Sequence, residues 1–513
     1  MPIQRSTANL NRMKPMPSSI AIKNEPNATV LVGSSSLPPL SRRANVGSIP
    51  LTRSTTIAVA GGLVSQGLKF CVILYVARRF SVSEFGLLSF AIAVNAYMFV
   101  ISNFGLNVFG SRAVAQSRVV SRALLAEICC LQAMLAGLGL GLALIILRFV
   151  PGVSHLELLL VALFGLSNVI QAGLFDWVFQ GLHRQEVSVT LNILWQGTWL
   201  ILTVAGINLR MGIAAVPAGL CVSALLAGTV GYLWIGKTAT AGPRAGERAH
   251  LLHRSWRTLQ SAAPLGWGTL LTTFIVWGDT IAVRLIRGQQ AAGWYAAGNR
   301  AALAVAMLGT LYVQGAFPFL SQTSQENQLA FERCFARTYA DLAMLFVPGA
   351  LWAIYYAKEI ILLLFHRTDY LAATFVFRTF QVTMLFFVAN TLLGTGVLVA
   401  CGQDRAFRVV LAGTAGVFLL FCPLFTWRWG IEGTAAAVLG TQIASWLWFH
   451  CEAGKLMSAN SLSALRWPLT AGILSIVACR GFHLSLGAGF AVLASAQLTQ
   501  VVLRHPTMQG ADS

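Results

Sequence analysis

Long apolar runs separated by short polar turns organise the chain from residue 55 onward. Runs of 18 or more mostly apolar residues are long enough to cross a hydrocarbon core of about 30 Å as helices. They predict spans near 56–77, 85–105, 123–147, 156–179, 188–206, 212–235, 262–285, 292–319, 338–357, 372–400, 409–427 and 431–451. A weaker pair follows near 467–481 and 484–503, giving about 14 spans, the thirteenth resting on the shortest run. The pattern is that of an all-α polytopic membrane protein. Residues 1–54 differ: they are rich in Ser, Pro and Asn, carry scattered basic residues and have no long apolar run. They predict a disordered basic cytoplasmic tail.

The pattern also repeats. "EFGLLSF" (84–90) lies over "AAGWYAA" (291–297) at an offset of 207, which puts Gly86 on Gly293. "RMGIAAVPAGL" (210–220) lies over "RWGIEGTAAAV" (428–438) at an offset of 218, and between them "QGLHR" and "ACGQD" superpose Gly181 on Gly402. The division expected from this is an N-lobe of six spans (55–236), a cytoplasmic linker (237–261), a second lobe of six spans (262–452) and a C-terminal segment (453–513) with the last two. An even number of spans gives both halves the same orientation. Such halves are related by an axis along the membrane normal, with the substrate path between them.

Composition agrees with this class. Charged residues are 10% of the 513 and hydrophobic ones 56%, whereas a soluble domain carries about 25% charged residues. The net charge of +19 alone would suggest nucleic acid, but the placement of the charges argues against that partner. With the N-terminus assigned to the cytoplasm, 23 of the 36 Lys and Arg fall on the inner side and ten on the outer, leaving Lys69, Arg300 and Arg378 within spans. That bias predicts both termini on the cytoplasmic side of the membrane and a basic inner face that attracts anionic lipid. The nine cysteines include no C-x-x-C pair, so no metal site is expected. The string G-x-x-x-x-G-K-[ST] occurs once, at 231–238, but it runs along the end of the predicted span 212–235 and not through a loop between a strand and a helix, so ATP hydrolysis is not expected and no cofactor is predicted. The outer loops are too short for a membrane polymerase or glycosyltransferase site, which argues against an enzyme.

Charges inside spans are costly and draw attention to themselves. At 1.5 Å per residue, Asp279 lies roughly 9 Å from the outer end of span seven, Arg300 roughly 12 Å into span eight, and Lys69 near ~13 Å in span one. Asp279 and Arg300 sit on neighbouring antiparallel spans, where they are either a structural ion pair or cavity-facing groups. Arg284 and Arg287 approach the outer interface and are expected in headgroups. Asp176 and Trp177 fall at the inner end of span four, as an interfacial anchor with the acid near Arg184. Asp341 and Arg378, in spans nine and ten, are expected to pair and are candidates for gating or coupling together with Asp176. Gln66, Asn95, Asn103 and Asn107 offer amides on spans one and two, for a ligand or for helix–helix hydrogen bonds.

The stretches "ARRFSVSEFGLLSFA", "FDWVFQGLHR", "WGDTIAVRLIRGQQAAGWYAAGNR", "KEIILLLFHRTDYLAA" and "RWGIEGTAAA" resemble the oligosaccharide flippase family of Wzx-type polysaccharide transporters. That family sits within the multidrug/oligosaccharidyl-lipid/polysaccharide exporter superfamily. The resemblance covers roughly residues 55–455, with Asp279, Gly293, Tyr295, Ala297 and Arg300 forming its most specific pattern. It implies two six-helix lobes in a MATE-like V with two further helices. It also implies translocation of an undecaprenyl-diphosphate-linked oligosaccharide by alternating access, for surface or exopolysaccharide synthesis. The implied partners are that lipid-linked cargo, membrane lipids, a coupling ion (H+ or Na+) and polysaccharide polymerase or export machinery. Such a cargo suits Lys69 and Arg300 as phosphate ligands, with Asp279 holding Arg300 in the empty cleft and the amides facing sugar. A multidrug exporter and a lipid II flippase of the same superfamily are the alternatives.

Overall fold

The computed structural model describes residues 53–236 and 251–457, position 119 apart, and scattered positions between 468 and 497. Every regular element among the described residues is helical. The first lobe comprises α1 (Arg53–Arg79), α2 (Val82–Asn103), α3 (Leu106–Ser117), α4 (Arg122–Phe149), α5 (His155–Gln171), α6 (Asp176–Gly181), α7 (Gln185–Asn208) and α8 (Ala215–Gly236). The second comprises α9 (Leu251–Arg287), α10 (Gln289–Glu326), α11 (Gln328–Tyr355), α12 (Ala357–Phe365), α13 (Thr374–Thr391) and α14 (Asp404–Ala453).

Among the described residues, eleven helical stretches are long and apolar enough to cross a membrane. The last, Asp404–Ala453, is two helices joined at Gly430, whose φ of 65° and ψ of −143° only glycine adopts without strain. Counted as two, it completes one crossing for each of the first twelve predicted spans. The thirteenth and fourteenth fall largely outside the described residues, where Leu486–Ser495 is a short apolar helix. The predicted tail, 1–54, lies outside them except for its last two positions. Residues 251–261, expected as linker, are instead the first turns of α9.

Two predicted spans are interrupted. Span two breaks at Phe104 and Gly105, both left-handed, before α3 continues it; span four breaks between α5 and α6. α2 and α5 both open on a capping box. The serine hydroxyl of Ser81 or Ser154 accepts from the backbone N–H of Glu84 or Glu157, whose carboxylate accepts from the serine N–H in return.

The internal repeat is visible in the backbone. Gly212 and Gly430 have matching left-handed φ values of 66° and 65°, as the offset of 218 requires. The middle match needs correction. The left-handed residues are His183 (φ 57°) and Gly402 (φ 73°). Equivalent capping bonds run from Arg184 N–H to Phe179 O and from Gln403 N–H to Leu398 O. Gly402 therefore corresponds to His183, and pairing it with Gly181 was two residues out of register. Backbone geometry, not residue identity, carries the equivalence.

The two lobes meet where α2 and α10 begin. A Cβ on Gly86 would run into the Gln289 carbonyl, and one on Gly293 into the Val82 carbonyl. Val82 and Gln289, like Gly86 and Gly293, are 207 residues apart, so the contact is reciprocal in the manner of a two-fold interface. The pseudo-two-fold axis passes between these glycines, which are required because the backbones touch. We refer to this end, where α1 finishes at Arg79 and α9 at Arg287, as the distal end.

Candidate functional site

Arg300 lies on α10 about 16 Å from its distal start, at 1.5 Å per residue. The residue is 7% exposed, and its guanidinium carbon stacks 4.0 Å above the Trp277 ring of α9. Nη2 is buried with no hydrogen-bond partner, and Arg300 forms no ion pair with any described residue. The stacking supplies cation–π stabilisation but leaves an N–H of this strong phosphate-binding fork unused.

Asp279 is not its partner. The carboxylate, on a residue 1% exposed, is satisfied by neutral donors: Tyr295 Oη at 2.7 Å, Asn299 Nδ2 at 3.2 Å, and the N–H and hydroxyl of Thr280 at 2.5 and 3.2 Å. It borders a cavity of about 20 Å³ shared with Thr383 of α13 and Gln442 of α14, inside the second lobe. The expectation that Asp279 holds Arg300 therefore fails. Tyr295 and Asn299, two turns and one turn before Leu303 on the same helix face, bond the carboxylate in place of the guanidinium.

On α1, Gln66 and Lys69 are half-buried and tied by no hydrogen bond or ion pair to a described residue. Lys69 lies about 15 Å from the distal end of α1, a depth close to that of Arg300. The amides of α2 and α3 are engaged within the first lobe. Asn168 Nδ2 donates to Asn95 Oδ1 at 2.9 Å, Gln132 Nε2 donates to Asn107 Oδ1 at 2.8 Å, and Asn103 accepts from the Asn107 N–H at 3.1 Å. These are helix–helix and capping bonds, the second of the two uses open to them.

The remaining positions are local structure. Asp176 accepts from Ser188 Oγ and from Gln180 Nε2 at 2.7 Å, tying α6 to α7, and not from Arg184. Trp177 is no interfacial anchor; at 1% exposure it packs against Gly110 of α3. The Asp341–Arg378 pair does not form: Asp341 accepts from Tyr312 Oη at 2.9 Å, while exposed Arg378 donates to the Ile354 carbonyl at 3.2 Å. Arg284 is buried inside the protein rather than facing headgroups, while Arg287 is exposed at the end of α9. Arg287 donates to the carbonyls of Thr426 and Trp427, and Arg284 makes a two-point ion pair with Glu157. Sequence reasoning passed over Glu157 and Trp277. The first left a signal in Ser154-x-x-Glu157, a capping box in an otherwise apolar run, whereas Trp277 left none among so many aromatics.

Comparison with known proteins adds to this geometry. The family model described as "Polysaccharide biosynthesis protein" matches residues 51–324, more than half the chain. The sequence matches no curated protein. Among solved structures, the fold is similar to the lipid II flippase MurJ in an inward closed conformation, at 14% identity and a TM-score of 0.65, covering 90% of this chain and 100% of that one. It is also similar to a eukaryotic MATE transporter, at 11% identity and a TM-score of 0.56, covering 82% of this chain and 97% of that one. An inward-facing multidrug resistance MATE family transporter of the MOP superfamily matches at 12% identity and a TM-score of 0.54, over 78% and 98% of the two chains. At these identities the likeness concerns the fold, which is MATE-like, as the resemblance implied, and MurJ-like.

Proposed function

The chain belongs to the polysaccharide biosynthesis protein family, and on that footing we propose that it flips an undecaprenyl-diphosphate-linked oligosaccharide across a bacterial cytoplasmic membrane, with both termini inside. The family description and a fold shared with flippases and exporters support a membrane transporter. The observation that carries the cargo assignment is Arg300, a buried guanidinium with an unsatisfied N–H and no direct ion pair, the nearby Asp279 being bonded to other donors. Isolated buried cations are expensive, so a site that keeps one is built for an anion supplied from outside. A diphosphate brings two charges and several acceptor oxygens, which the remaining fork of Arg300 and the ammonium of Lys69 would share. Gln66, three residues from Lys69, is the amide we assign to the sugar. Energy enters as an ion gradient, H+ or Na+, for which buried Asp279 is our choice of coupling carboxylate.

The test is flipping in proteoliposomes of a fluorescent undecaprenyl-diphosphate oligosaccharide, read by quenching from outside. Wild type is expected to expose the probe and Arg300→Ala to leave it protected, with Arg300→Lys between them because the fork is lost. Full activity of Arg300→Ala would sink the assignment. A second reading, lipid II as cargo, is favoured by the extent of the MurJ likeness. It replaces the first if the vesicles move a disaccharide-pentapeptide lipid and not the oligosaccharide.

A further inference from the structure

The distal contact between lobes has a centre and two flanks. At the centre, Gly86 meets Gln289 and Gly293 meets Val82. On one flank, C-lobe groups reach the end of α1: Tyr370 Oη donates to Ala77 O at 3.1 Å and Arg367 to Phe80 O at 2.7 Å. Arg78 answers by donating to Leu364 O at 2.6 Å and Leu363 O at 3.2 Å. The repeat offset of 207 maps Ala77 onto Arg284, so the other flank is the same place seen from the opposite lobe. There the chemistry differs. Arg284 Nε donates to Glu157 Oε1 at 2.7 Å, and its Nη2 donates to Glu157 Oε2 at 2.9 Å and Gly152 O at 3.0 Å. The side chains are 8% and 0% exposed.

We propose that Arg284–Glu157 is the latch of the distal seal, the interaction that must break before the lobes part on that side. One flank uses donors to backbone carbonyls, which water replaces at little cost as the lobes separate. The other buries two opposite charges, each of which is left uncompensated unless both are rehydrated together. Glu157 also closes the capping box of α5, so its carboxylate is held in place by Ser154 before Arg284 arrives. The latch is thus preorganised on the first lobe and released as a unit. It rests on the two-lobe fold alone and on no assignment of cargo.

The double duty of Glu157 supplies the control. Glutamine at this position keeps a capping box but loses the charge. Glu84 closes the corresponding box on α2 but forms no ion pair with an arginine among the described residues. Nitroxides at His155→Cys and Leu285→Cys, both exposed and flanking the latch, would be placed in full-length protein whose native cysteines are replaced, in nanodiscs. Their separation is read by electron–electron resonance. Glu157→Gln is expected to raise the long-distance population by at least about tenfold, and Glu84→Gln to leave it unchanged. Arg284→Lys, which keeps the charge but not the fork, is expected to fall between parent and Glu157→Gln, and it decides the matter if Glu157→Gln does not accumulate. An unchanged distribution in the latch variants would overturn the proposal. An equal shift with Glu84→Gln would do the same, because the effect would then belong to capping.

Discussion

Two arginines sixteen positions apart, on consecutive helices, are both buried, and the protein treats them in opposite ways. Arg284 is paired, with both oxygens of Glu157 and the Gly152 carbonyl in reach, and it joins one lobe to the other. Arg300 stacks on Trp277 within the second lobe and keeps a buried N–H without an acceptor. A paired buried charge is part of the architecture; an unpaired one is a cost carried for something else. The difference teaches that burial and charge together do not mark a site. The state of the partner does.

Substitutions at four positions break or sharpen this contrast, in descending order of expected effect. Arg300→Met should abolish flipping, by about a hundredfold or more, since truncating one member of a buried charge contact costs about 2–5 kcal/mol of binding. It should at the same time raise the unfolding temperature in detergent, because it removes a buried cation with an unbonded N–H; a fall in that temperature would mean that Arg300 is structural. Glu157→Ala should do the opposite, lowering stability by about 3–5 kcal/mol by orphaning Arg284. Thermal unfolding checks this, and a change near zero would mean that the ion pair is not formed in the membrane. Asp279→Asn should cost about 1–2 kcal/mol, since Tyr295 can still donate to the amide oxygen, and Asp279→Ala should cost more. Reversing the charges with Asp279→Arg and Arg300→Asp is not expected to restore flipping, because the two are not paired. Arg378→Ala should move stability by no more than about 0.5 kcal/mol, its side chain being exposed; a larger drop would reveal a role that its bond to Ile354 O does not suggest.

Hydropathy made the spans and the all-α membrane class legible, because a helix in lipid must satisfy its own backbone and present apolar side chains all round. Matched stretches made the repeat legible and placed Gly86 and Gly293 as equivalents. Their contact across the axis became visible only when α2 and α10 were set side by side. Depth along a helix was also readable, and Lys69, Asp279 and Arg300 do lie at similar levels, but depth carries no azimuth. Asp279 looked like the mate of Arg300 because both were charged and close in depth; two neutral donors on the face of α10 decided otherwise. Glu157 and Arg284 are 127 residues apart, and nothing local to either predicts the other. What the sequence determined is whatever follows from rise per residue and transfer free energy. Pairing between lobes depends on helix rotation and on which polar partner arrives first, and only the packed structure settles it.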